Sequence, residues 1–131
     1  MQAAELKSAC LALPGTFEDF PFGPEASVFK VRGPGGKAKM FALADLDSAE
    51  LSVSLKCEPA LAEQLRAAHT EITGAYHMNK THWNGVRCDG ALPADMIRDM
   101  IEDSYDLVVE SLPRKDREAL KWSGLAAGGS C

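Results

Sequence analysis

Hydrophobic and polar residues recur along this chain with two periods, and the changes of period divide it into elements. Residues 3–13 place Leu6, Cys10 and Leu13 at three- and four-residue steps, which predicts a short helix ended by Pro14-Gly15. Thr16 to Phe20 is a short extended piece, and Pro21 and Pro24 then force turns. From Ala26 the period falls to two, so that Phe29 and Val31 point one way and Lys30 and Arg32 the other. Gly33-Pro34-Gly35-Gly36 reads as a flexible hairpin loop, and Lys39 to Ala44 as the returning strand. Leu51, Val53 and Leu55 alternate with Ser52, Ser54 and Lys56, giving a strand with one wet face.

Pro59 suits the first position of a helix reaching about His69, with Leu61 and Leu65 as its buried ridge. Gly74 and a loop over His77 to Thr81 lead into a strand from His82 to Asp89. Leu92-Pro93 opens the longest helix, to about Ser111, with Ile97, Met100, Ile101, Ser104, Val108 and Leu112 as its stripe. Arg114 to Trp122 reads as a frayed helical appendage and Gly124 to Cys131 as a disordered tail. The order predicts an α+β fold: a two-layer sandwich, a largely antiparallel sheet with helices packed on one face. Such a sheet leaves its other face to water.

A chain of 131 residues is long enough for one core, and no internal repeat or linker divides it. We therefore expect a single domain over residues 1–115 and an appendage over 116–131. No apolar run is long enough to span a membrane, and the N-terminus lacks a basic segment leading into an apolar one. Cys10, Cys57, Cys88 and Cys131 are scattered without metal-ligand spacing, which suits free thiols in the cytoplasm. The net charge of −5 weighs against nucleic acid as a partner, because DNA affinity comes largely from cations that release condensed counterions. An acidic total still leaves room for a local basic face.

Strand parity defines such a face. With Phe29, Val31, Leu51, Val53, Leu55, Val86 and Cys88 toward the helices, Lys30, Arg32, Ser52, Ser54, Lys56, Trp83 and Arg87 point outward, and no carboxylate is among them. Lys80, at the strand entrance, is expected to join them. Cations interleaved with an indole suit phosphates and a stacked base. The alternative is that Lys and Arg solubilise an open sheet while Trp83 packs against their stems.

The long helix carries the opposite sign: Asp95, Asp99, Glu102, Asp103, Asp106 and Glu110 cover its outer side, with Arg98 the one cation among them. A solvated helix face explains these residues, and metal binding is the alternative. His77 and His82, with Asp89 nearby, lack the helical spacing that puts two imidazoles on one ion, so structural histidines are the better reading. Cys88 and His82 share parity but lie about 20 Å apart along a strand, too far for a nucleophile and its base. No phosphate-binding loop precedes a helix. We expect no enzyme activity, no cofactor and no metal site.

The run His77-Met78-Asn79-Lys80 followed by His82-Trp83-Asn84 resembles the MmcQ/YjbR family of small bacterial proteins. So do Pro21-Phe22-Gly23-Pro24, Val28-Phe29-Lys30-Val31, Lys39-Met40-Phe41-Ala42-Leu43, Ser104-Tyr105 and Leu112-Pro113, over roughly residues 5–115. This resemblance implies a CyaY/frataxin-like sandwich of the "double-wing" DNA-binding type, with no reaction attached. It also implies that His77, Asn79, His82 and Asn84 are structural motif residues, His82 packing beside the core with a hydrogen bond. The reading that follows is a non-enzymatic cytoplasmic module that binds DNA through Lys30, Arg32, Lys56, Lys80, Trp83 and Arg87. The alternative is a frataxin-like module that takes a protein or small ligand on an exposed Trp83, without nucleic acid.

Overall fold

Six strands form one antiparallel sheet in the order β1-β2-β3-β4-β6-β5. They are β1 (Thr16–Asp19), β2 (Ser27–Val31), β3 (Lys39–Ala44), β4 (Ser52–Lys56), β5 (Ile72–Gly74) and β6 (Trp83–Arg87). This computed structural model describes residues 1–75 and 78–129, with side chains through residue 122. Helices α1 (Ala3–Leu11), α2 (Pro59–Ala68) and α3 (Ala94–Glu110) lie on one face, α3 across β2, β3 and β4, α1 against β1, and α2 over β5 and β6. The expected α+β two-layer architecture is therefore the observed one. No helix among the described residues is long and apolar enough to cross a membrane.

The core fills the space between these layers. Phe29, Val31, Leu51, Val53, Leu55, Val86 and Cys88 are all buried, as their parity requires, together with Leu6 and Cys10 of α1 and Ile97, Ile101 and Val108 of α3. One departure from simple alternation lies in β3. Phe29 pairs with Ala42 but Lys30 with Met40, so Phe41 is the extra residue of a β-bulge. The bulge buries Phe41 and Ala42 together, and the Phe41 ring meets Tyr105 of α3 edge-on at 5.5 Å. Ser104, counted in the apolar stripe of the long helix, is fully buried for a polar reason. Its hydroxyl donates to the Phe41 carbonyl at 2.6 Å and accepts from the Lys56 N–H at 2.8 Å, bridging β3 and β4 beside the bulge.

Four expectations need correction. The ridge of α2 is centred on Ala62, fully buried, while Leu61 is 40% exposed and Leu65 only half-buried. The helix sits close enough to β6 that the Ala62 carbonyl accepts from the buried Asn84 side chain at 3.5 Å. Strand β5 was not anticipated, because it holds only three residues and Ile72 is its one core position. The hairpin loop is not slack: Gly33, Gly35 and Gly36 wrap the Asp116 carboxylate, which accepts from Gly35 N–H at 3.3 Å. Finally, Arg114–Gly129 forms one helix, α4, in place of a frayed appendage and disordered tail. Asp116 and Leu120 are buried against the rest of the fold, so the packed unit continues past residue 115. Ser130 and Cys131 lie outside the described residues.

Candidate binding face

Among the described residues, no helix covers the second face of the sheet. Cross-strand register sets its side chains in rows, since paired residues share a face. One row runs Phe17, Lys30, Met40, then Lys56 and Trp83. A second runs Asp19, Val28, Leu43, Ser54, Gly85 and Thr73, and a third pairs Ser52 with Arg87. Lys30, Met40, Leu43, Lys56 and Trp83 are half-buried, and Val28 is buried. The face thus has aromatic rings near both ends of a row and aliphatic groups between them. The Arg32 guanidinium lies over the Phe17 ring, 4.7 Å from its centroid.

The expected absence of carboxylates does not hold. The Lys30 ammonium is 2.8 Å from Asp19, an acidic residue of β1 that strand pairing brings onto the same face. The side-chain bond from Lys30, then the Phe20 N–H, hold the Asp19 carboxyl below its usual range. Arg87 meets Asp89 through two bonds, at 3.1 and 3.2 Å, and also feels Glu50 and Glu71. Lys80 does not reach the face either. A Cβ on Gly74 would meet the Lys80 stem, and Gly74 pairs with Asn84, whose side chain points toward α2. Of the expected cations, Arg32 and Lys56 are on or beside the face and in no ion pair among the described residues. Asp19 was missed because β1 was read only as an extended piece, and an edge strand contributes its alternate residues to the face it joins.

The loop before β6 is built by amides. Asn79 Oδ1 accepts from the Thr81 N–H at 2.9 Å, and its carbonyl accepts from the His82 and Trp83 N–H groups, making a tight turn. Asn84, buried, accepts from Arg66 at 2.8 Å, and Arg66 also holds the Lys80 carbonyl at 2.9 Å. Asn79 and Asn84 thus hold the loop through these bonds. His82, expected to pack beside the core with a hydrogen bond, is exposed, and its imidazole has no hydrogen bond among the described residues. Its backbone carbonyl accepts from Cys57 N–H and joins the end of β4 to the loop. His77 lies outside the described residues.

The thiols of Cys10 and Cys88 are buried in the core, and burial pushes them up to about 12 and about 11. Tyr105, raised to about 12 by burial, donates to the Pro14 carbonyl at 2.6 Å and pins α3 to the turn after α1. Among the described residues no three His, Cys, Asp or Glu side chains converge as metal ligands would.

Comparisons with known proteins agree with this fold. A family model described as YjbR matches residues 11–107. An Escherichia coli K12 protein named "Uncharacterized protein YjbR" is 34% identical over 120 residues, covering 92% of this chain and 98% of that one. Escherichia coli O157:H7 "Uncharacterized protein YbdF" is 33% identical over 115 residues, 88% of this chain and 90% of that one. Among solved structures, the Deinococcus radiodurans protein DR2400, with domain DUF419, superposes with a TM-score of 0.84 at 39% identity, covering 92% of this chain and 88% of that one. A Pseudomonas syringae protein superposes with a TM-score of 0.59 at 34% identity, covering 70% and 86%.

Proposed function

This chain belongs to the YjbR family, and we propose that it is a non-catalytic cytoplasmic binding module whose open sheet face docks a partner protein around Trp83. The observation that carries this reading is the local charge balance of the face. Lys30 is matched by Asp19 and Arg87 by Asp89, which leaves Arg32 and Lys56 as the cations of the face outside ion pairs among the described residues, while Trp83, Met40, Leu43 and Phe17 offer apolar contact. A half-buried indole on a face where Lys30 and Arg87 are internally neutralised suits a protein interface, where aromatic anchors dominate and charged residues are depleted at the centre.

The expected result is a partner captured from cell extract that survives nuclease treatment and binds Trp83→Ala about thirtyfold more weakly, the loss of about 2 kcal/mol typical of an aromatic anchor. A captured protein that ignores Trp83→Ala would remove this reading.

A second reading, single-stranded DNA on the same row, is favoured by Arg32 and Lys56, which lie outside every ion pair among the described residues. Two phosphate contacts give a log–log salt slope of only about −1.4. Anisotropy titrations of an oligonucleotide at several salt concentrations check this directly. Arg32→Ala with Lys56→Ala should flatten the slope, and tight binding at physiological salt that both substitutions abolish would put DNA ahead of protein.

A further inference from the structure

On the opposite side of the molecule, α2 and α3 leave a groove of about 310 Å³ between them. Leu61 and Leu107 line it, with Cys57 at one end, and Leu61 is 40% exposed. Its walls carry only negative charge: Glu58 from the start of α2, and Asp103, Asp106 and Glu110 from α3. Positions 103, 106, 107 and 110 fall at three- and four-residue steps, so they form one stripe along two turns of α3.

Glu58 has a task within the fold, capping α2 by accepting from the Ala60 and Leu61 N–H groups. Asp103, Asp106 and Glu110 have none, because no ion pair among the described residues includes them. Like charges one turn apart repel. The last turn of a helix disfavours anions, and that of α3 holds Glu110 and no basic residue. The Asp106 carboxyl is pushed above its usual range, by burial first and then by Asp103 and Glu110. No ion pair among the described residues offsets this repulsion, although Arg114, Arg117 and Lys121 line a neighbouring groove that Asp106 and Glu110 also border. The carboxylates do not converge as metal ligands would, so what complements them is a row of cations.

We propose that this groove docks a basic amphipathic segment of a partner protein. One large apolar side chain of the segment lies on Leu61 and Leu107, and Lys or Arg residues on either side meet Asp103, Asp106 and Glu110. Charge complementarity selects this occupant, and the length of the stripe, about 10 Å, sets it at roughly two helical turns. The surface is separate from the sheet face, so Trp83→Ala should leave it intact.

The test titrates the full chain with a short amphipathic lysine–leucine peptide bearing one tryptophan, read by fluorescence, with a glutamate–leucine peptide as control. We expect saturable binding of the basic peptide alone, weakened about tenfold by Leu61→Ser and by Asp106→Asn with Glu110→Gln. Leu11→Ser, at another exposed leucine, should change nothing. The carboxylate variant should also unfold at the same or a higher urea concentration than the parent, which separates a docking role from a structural one. Equal binding to Leu61→Ser, meaning general attraction to an acidic protein, would overturn the proposal. So would a destabilised carboxylate variant, or self-association abolished by Trp122→Ala, which would give the groove to a second copy.

Discussion

Ser104→Ala is expected to lower stability by about 3 kcal/mol and Tm by roughly 10 °C, although it deletes one oxygen from a helix interior where alanine has the higher propensity. The Ser104 hydroxyl stands between two backbone groups that a regular ladder would have joined to each other, the Lys56 N–H and the Phe41 carbonyl. The bond to the Phe41 carbonyl is buried and the bond from the Lys56 N–H partly buried beneath α3. Removing the hydroxyl strands both groups, and a buried unsatisfied group costs about 1–3 kcal/mol. The site has no slack to close the gap, because the bulge that displaces the Phe41 carbonyl also seats its ring against Tyr105. Urea unfolding checks the value. Ser111→Ala, which removes an exposed hydroxyl on the same helix, provides the comparison and should cost about 1 kcal/mol or less. A Ser104→Ala loss no larger than that would mean the strands re-pair without the serine.

Ser104 also shows where a sequence stops being legible. Its spacing in the helical stripe places it against the sheet, which is correct, but an apolar periodicity has no symbol for a hydroxyl that replaces a ladder bond. The same division runs through the chain. Alternation fixed the inward faces of β2, β4 and β6, since a one-residue slip would expose a whole set of core residues. The outward face was harder. Its charge depended on which strands were neighbours, and Asp19 joins Lys30 only because β1 lies at the edge beside β2. Asp89 already lay within the strand read from His82 to Asp89, two residues from Arg87 and on the same side by alternation, so its closeness was available in the sequence and was passed over. The hydrogen bonds of Asn79 and the exposure of His82 both depend on how the turn is closed by backbone groups, which spacing alone does not show. The acidic stripe of α3 was visible as composition. Which of its members face α2 could be known only after the helices were packed.

Gly33→Ala should cost about 2–3 kcal/mol, the usual penalty for forcing atoms into filled space, and most of that cost should vanish when Asp116 is also replaced by glycine. A Cβ at Gly33 would run into the Asp116 side chain, coming within 2.6 Å of Oδ1 after overlapping the carbons, and one at Gly36 would meet Oδ2. Gly33 is itself buried, so neither partner can swing into solvent without undocking the first turn of α4. The second hold on that helix has the same character: Leu120 packs over Gly15, whose φ of +74° already excludes most side chains and whose added Cβ would sit 2.8 Å from the Arg32 carbonyl. Gly35→Ala is the discriminating control, because nothing lies within 4 Å of its added methyl, and it should be neutral or slightly stabilising. The measurement is a double-mutant cycle by urea unfolding over Gly33→Ala, Asp116→Gly and the pair. A coupling energy of about 1.5 kcal/mol or more would establish that the glycine loop exists to hold α4. If Gly33→Ala and Gly35→Ala behave alike, the loop is only a flexible connection after all, and α4 is anchored by Leu120 alone.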